Sequence, residues 1–99
     1  MTAKEYIEKV VEVSSELTGL SREEILGHGK NREVVDARWM VIRLMRDAGY
    51  YPTQIAQLMR MSVRSIQIIA LTFKDRMDFS EDPMLRNNYE AAAKQLRSN

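Results

Sequence analysis

An all-α fold, a small helical bundle with a basic loop and a helix-turn-helix, follows from three observations. Apolar residues recur at three- and four-residue spacing along almost the whole chain. The four glycines and two prolines fall between these periodic stretches rather than inside them. Runs of alternating β-branched residues are missing. Ninety-nine residues, 44% hydrophobic and 29% charged, suit one soluble domain, 1–99, with a single core.

The first helix is expected over about 3–18, where Tyr6 or Ile7, Val10, Val13 or Ser14, and Leu17 share a face opposite glutamates. Gly19 supplies its end signal. Ser21 and Glu24 have the spacing of a capping box and open a short helix over about 22–27, with Leu20 placed to staple onto Ile25. Gly27-His-Gly-Lys-Asn-Arg32 reads as a flexible basic loop.

A long helix over about 31–48 follows, with a stripe of Val34, Ala37, Val41, Leu44, Met45 and Ala48, widened by Val35, Met40 and Ile42. So broad a stripe marks the central helix, packed from more than one side. Its remaining face carries Arg32, Asp36, Trp39, Arg43 and Arg46. Gly49 ends it, and Tyr50-Tyr-Pro52 forms the connector.

Thr53 can cap a short helix over about 53–59 with Ile55, Ala56, Leu58 and Met59 inward. Arg60-Met-Ser62 is a tight turn, and Ser62 caps a further helix to about 77. There Ile66, Ile69, Ala70 and Phe73 share one side while Arg64, Gln67, Ile68 and Leu71 point the other way, with Ser65 and Lys74 at the edges. Two helices, a three-residue turn and a small Ala56 at the crossing make a helix-turn-helix pattern. Its outward face holds side chains that read base edges or grip phosphates. Asp78 to Pro83 breaks the pattern, and Pro83 starts a last helix over about 84–97.

Net charge is only +1, unevenly spread: −3 over residues 1–29, +5 over 30–77 and −1 over 78–99. A basic middle between acidic flanks points to a polyanion as its partner. Cysteine is absent and His28 is the only histidine, which excludes disulfides, thiolate metal sites and any constellation needing two imidazoles. No metal, cofactor or catalytic residue is expected, and the chain is not expected to be an enzyme. No apolar run approaches a membrane span, and the opening Met-Thr-Ala-Lys-Glu-Tyr is not a signal peptide, so a cytoplasmic protein is expected.

The order of these pieces over about residues 5–77 resembles the C-terminal DNA-binding domain of DnaA, the bacterial chromosomal replication initiator, a helix-turn-helix of Trp-repressor-like kind. The specific part is the short helix ending Ile25-Leu26, the basic loop, and Lys30-x-Arg32-x-Val34-Val35-x-x-Arg38-x-Met40, followed by Ile55-Ala56 and the turn. The resemblance implies that Lys30 enters a minor groove, with Arg32 and Arg38 around the same loop. It puts Trp39 and Arg46 on the phosphate backbone and Ser65 at the start of the reading helix. The family's signature resembles Gly-Gly-Arg/Lys-Asp-His-Ser/Thr-Thr-Val, and here the stretch is Arg60-Met-Ser-Val-Arg-Ser-Ile66. The turn is one residue shorter, and Ser62 and Val63 replace the base-reading Asp and His. The family's ATPase module is absent: Gly29-Lys30 resembles the end of a P-loop, but Glu24 and Asn31 stand where it needs Gly and Ser/Thr.

The residues therefore suggest double-stranded DNA binding, in replication initiation or its regulation. Arg64, Ser65, Gln67 and Ile68 are expected to read bases, and Lys30, Arg32, Arg38, Trp39, Arg46, Arg60 and Ser62 to hold the backbone or minor groove. The alternative is a protein-interaction module, a prophage or mobile-element accessory, using the exposed Ile68 and Leu71 to dock on replication or other proteins. A DNA reader needs Arg32, Arg43, Arg46, Arg60 and Arg64 on one face; an adaptor would show them scattered or paired with Glu33, Asp36 and Asp47.

Overall fold

The computed structural model describes residues 1–98, and all regular structure in them is helical. The order is α1 (Ala3–Thr18), α2 (Arg22–Leu26), α3 (Arg32–Asp47), α4 (Pro52–Met59), α5 (Val63–Phe79) and α6 (Met84–Arg97).

Local chemistry explains most of the boundaries. Ser21 Oγ accepts from Glu24 N at 3.1 Å while Glu24 Oε1 accepts from Ser21 N at 3.0 Å, the capping box expected for α2. Thr2 and Glu5 form a second one on α1. Gly19 takes φ 77° at the end of α1, a left-handed conformation that glycine adopts without a Cβ penalty. Asn31 is the N-cap of α3, its Oδ1 accepting from Val34 N at 3.2 Å.

Several boundaries differ from expectation by one or two residues, with α2 stopping at Leu26 and α3 spanning Arg32–Asp47 rather than 31–48. Helix α4 begins at Pro52, whose missing N–H suits a first turn, so Thr53 is inside the helix and not its cap. Helix α5 runs on to Phe79, because Lys74 pairs with Asp78 (2.7 Å) and Arg86 of α6 also binds Asp78, holding the last turn. Ala48 is exposed, one residue past the stripe of α3.

Helix α3 is the axis of the bundle, packing against all five other helices. Met40, Val41, Ile42 and Met45 are fully buried, so apolar side chains leave α3 in more than one direction. Helices α1 and α5 both pack on α3, and α6 closes the side between α1 and α3. Phe73, fully buried, meets the Tyr89 ring edge-on at 5.2 Å between centroids, tying α5 to α6. The Tyr89 hydroxyl donates to Asp47, and its burial together with that carboxylate pushes its pKa up to about 12. No helix is long and apolar enough to cross a membrane among the described residues.

Candidate nucleic-acid interface

Helices α3 and α5 run antiparallel. Arg76 near the end of α5 reaches Asp36 in the first half of α3 (2.5 Å), while Arg43 in the second half of α3 donates to Ala70 O in mid-α5 (2.8 Å). The loop before α3 therefore lies at the C-terminal end of α5, and the α4–α5 turn lies toward the other end of α3.

The turn itself is built from Arg60 and Ser62. Arg60 caps α4 in the left-handed region, φ 55° and ψ 47°, where a non-glycine residue is strained. Met61 N closes the turn onto Ala56 O at 3.0 Å. Ser62 Oγ accepts from Ser65 N (3.1 Å) and donates to Ser65 Oγ (2.8 Å), so both hydroxyls serve the start of α5. Substituting Arg60→Gly is expected to raise stability by ~0.5–1 kcal/mol, part of the strain relief being offset by a floppier unfolded chain. Thermal unfolding checks it.

The face of α5 expected to read DNA is exposed. Ile66, Ile69 and Phe73 are buried, whereas Arg64, Gln67, Ile68 and Leu71 face solvent. Arg46, half-buried, anchors through Nη1 on Tyr50 O (2.7 Å) and lines the same notch as Gln67, Leu71 and Pro52, a cavity of about 510 Å³. This brings the backbone-gripping candidate of α3 beside the reading face of α5.

Arg38 is a correction. It is 8% exposed, and its guanidinium donates to Ile25 O (3.0 Å), Gly29 O (3.0 Å) and Glu24 O (3.2 Å). The carbonyls of Glu24 and Ile25 belong to the end of the five-residue α2 and have no onward helix to serve, and that of Gly29 belongs to the loop after it. Arg38 thus fastens the basic loop from beneath and has no surface to offer a phosphate. Burial draws its pKa below the ordinary guanidinium value.

Trp39, expected on the phosphate backbone, is half-buried. One ring face is covered by the Arg76 guanidinium, 4.6 Å from the centroid, so α5 supplies its neighbour. Nothing in its spacing on α3 announced a partner as distant in sequence as Arg76.

The basic middle resolves into bound and free cations. Arg43 pairs with Asp47 (2.9 Å), Arg32 lies 3.9 Å from Asp36 and donates to Ser80 Oγ (2.8 Å), and Arg76 pairs with Asp36. The continuous five-arginine face is therefore only partly formed. Among the described residues Lys30, Arg60 and Arg64 are exposed and make no ion pair or side-chain hydrogen bond. They stand on the loop, the turn and α5 respectively.

No family model and no curated protein matches the chain. Among the described residues no three His, Cys, Asp or Glu side chains gather as a metal site would require.

Proposed function

We propose that the protein binds double-stranded DNA through α4, the turn and the first two turns of α5. The observation that carries this reading is the exposed, unpaired set of Arg64 and Gln67 on α5, flanked by the free Arg60 of the turn and by Arg46 of α3. Arginine pairs in bidentate fashion with a guanine edge and glutamine with an adenine, and Ile68 suits a thymine methyl. Arg60, held in a left-handed conformation, keeps a cation where glycine would be easier.

The loop fits the same docking. Sixteen residues make α3 about 24 Å long, so Lys30 and the α4–α5 turn are separated by a distance of that order. Neighbouring grooves of a duplex are spaced by roughly half of its ~34 Å turn. Gln67 and Ile68, roughly six residues or about 9 Å along α5 from the turn, lie that much nearer to Lys30, so Lys30 on the minor groove with this part of α5 in the major groove fits the spacing. The acid-rich α1, carrying Glu5, Glu8, Glu12 and Glu16 on its exposed side, packs on α3, α6, α2 and α4 and not substantially on α5. The exposed Asp75, unpaired among the described residues, limits the depth of insertion to the N-terminal half of α5, since a carboxylate beside phosphates repels.

The resemblance to the initiator domain supports replication initiation or its control as the setting. Of the residues it implied, we keep Lys30, Arg32, Trp39 and Arg46 as backbone or groove contacts, with Arg32 tethered to Ser80 and Trp39 under Arg76, while Ser65 together with Ser62 shapes the start of α5.

Duplex binding followed by fluorescence anisotropy against salt tests the reading. Lys30→Ala is expected to weaken all duplexes about equally and to lower the slope of log K against log salt by about one. Sequence-dependent loss on this substitution would place Lys30 among the base readers instead.

One observation favours a second reading, docking on a protein. Leu71 is 80% exposed and Ile68 48%, more apolar surface than base reading alone requires. Protein docking without DNA would leave the anisotropy of every duplex unchanged, even at low salt.

A further inference from the structure

Arg64, Ile68, Leu71 and Asp75 recur along α5 at spacings of four, three and four, and at ~100° per residue they form one stripe. All four are exposed. The bundle leaves Leu71 80% and Ile68 48% exposed. Among the described residues neither Arg64 nor Asp75 makes an ion pair or side-chain hydrogen bond, although their neighbours Lys74, Arg76 and Asp78 all do.

This stripe is complementary to itself in reverse. Running Arg-Ile-Leu-Asp against a reversed copy sets base opposite acid at both ends and apolar opposite apolar in the middle. A parallel copy would set Arg64 on Arg64 and Asp75 on Asp75, and like charges directly opposed destabilise. Self-complementarity about one point is what a two-fold interface demands.

We propose that the chain forms a symmetric dimer by antiparallel pairing of α5, with the two-fold axis between Ile68 and Leu71. Ile68 then packs on the partner's Leu71, and Arg64 pairs with the partner's Asp75, each contact made twice. Phe79, 85% exposed at the end of α5, extends the apolar contact toward the partner's α4–α5 turn. One short helical stripe falls well below the ~800 Å² per partner of a standard interface, so the dimer is weak, micromolar or above. Arg64 and Ile68 are also the side chains assigned to base reading, so dimer and DNA complex exclude each other. That exclusion rests on the DNA reading; the dimer itself does not.

Sedimentation velocity of the whole chain from roughly 1 µM to 1 mM tests the proposal. The unaltered chain is expected to dimerise with rising concentration. Arg64→Asp and Asp75→Arg, both on exposed sites that leave the core untouched, should each weaken self-association at least tenfold by opposing like charges. An equimolar mixture of the two variants should dimerise again, because both charge contacts are then acid on base. A chain that stays monomeric throughout, a dimer indifferent to either substitution, or variants that fail to associate when mixed would each overturn the interface. Duplex binding separates the two ideas: Asp75→Arg should bind DNA at least as well as the unaltered chain. Loss of DNA binding in every variant and in the parent, with the dimer intact, would remove the DNA reading and leave this one standing.

Discussion

Replacing Arg38 by alanine should lower stability by about 3 kcal/mol or more, the largest effect expected of any charged residue in the chain. The substitution withdraws three charge-assisted donors at once and leaves the carbonyls of Glu24, Ile25 and Gly29 without them. Water can reach the exposed Glu24 and Gly29, but it cannot freely replace the guanidinium at the carbonyl of the fully buried Ile25. Gly27 adds to the constraint: a Cβ there would come within 2.8 Å of Glu23 O, so the chain leaves α2 along one path. For a domain of this size the loss corresponds to a fall in melting temperature of roughly 12–24 °C. Arg38→Lys should recover only part of it, since one ammonium cannot span three carbonyls held by a planar fork. A variant that melted within a few degrees of the parent yet bound duplex weakly would return Arg38 to the surface role implied by the family resemblance.

Arg64→Ala should have the opposite signature. Its side chain is exposed and unpaired, so stability should stay within ~0.5 kcal/mol of the parent. Affinity for the preferred duplex should drop by ~1–3 kcal/mol, and the preference at one base pair should relax. Affinity for unrelated duplexes should change far less, by the single phosphate-type attraction that any surface cation supplies. Equal loss on every duplex would make Arg64 a backbone contact and move base reading elsewhere on α5. Together the two substitutions separate an arginine that builds the loop from one proposed to contact DNA, which the linear sequence does not distinguish.

The helices were legible because their signals are local. Apolar spacing, Ser21 with Glu24, Gly19 and Pro83 act within one or two turns, and the observed elements begin and end within two residues of expectation. The buried and exposed sides of α5 also followed from periodicity alone: Ile66, Ile69 and Phe73 are inside, and Arg64, Gln67, Ile68 and Leu71 are outside. The arginines were not legible, because their partners are distant in sequence. Arg43 finds Ala70, Arg76 finds Asp36 and Trp39, and Arg38 reaches back to Glu24 and Gly29. Counting charge over residues 30–77 gave a basic segment, but the fold pairs Arg32, Arg43, Lys74 and Arg76 internally and leaves Lys30, Arg60 and Arg64 outward. One sequence signal did bear on Arg38: it falls one turn after Val34 and beside Ala37, on the apolar stripe of α3, where a solvated base is out of place.

The most direct test of DNA reading is selection from a random duplex pool at physiological salt, read by sequencing, with Arg64→Ala run beside the parent chain. The expected result is an enriched consensus in which a guanine next to an A·T-containing step loses its enrichment with Arg64→Ala. A pool from which the parent retains nothing, even at low salt, would contradict it.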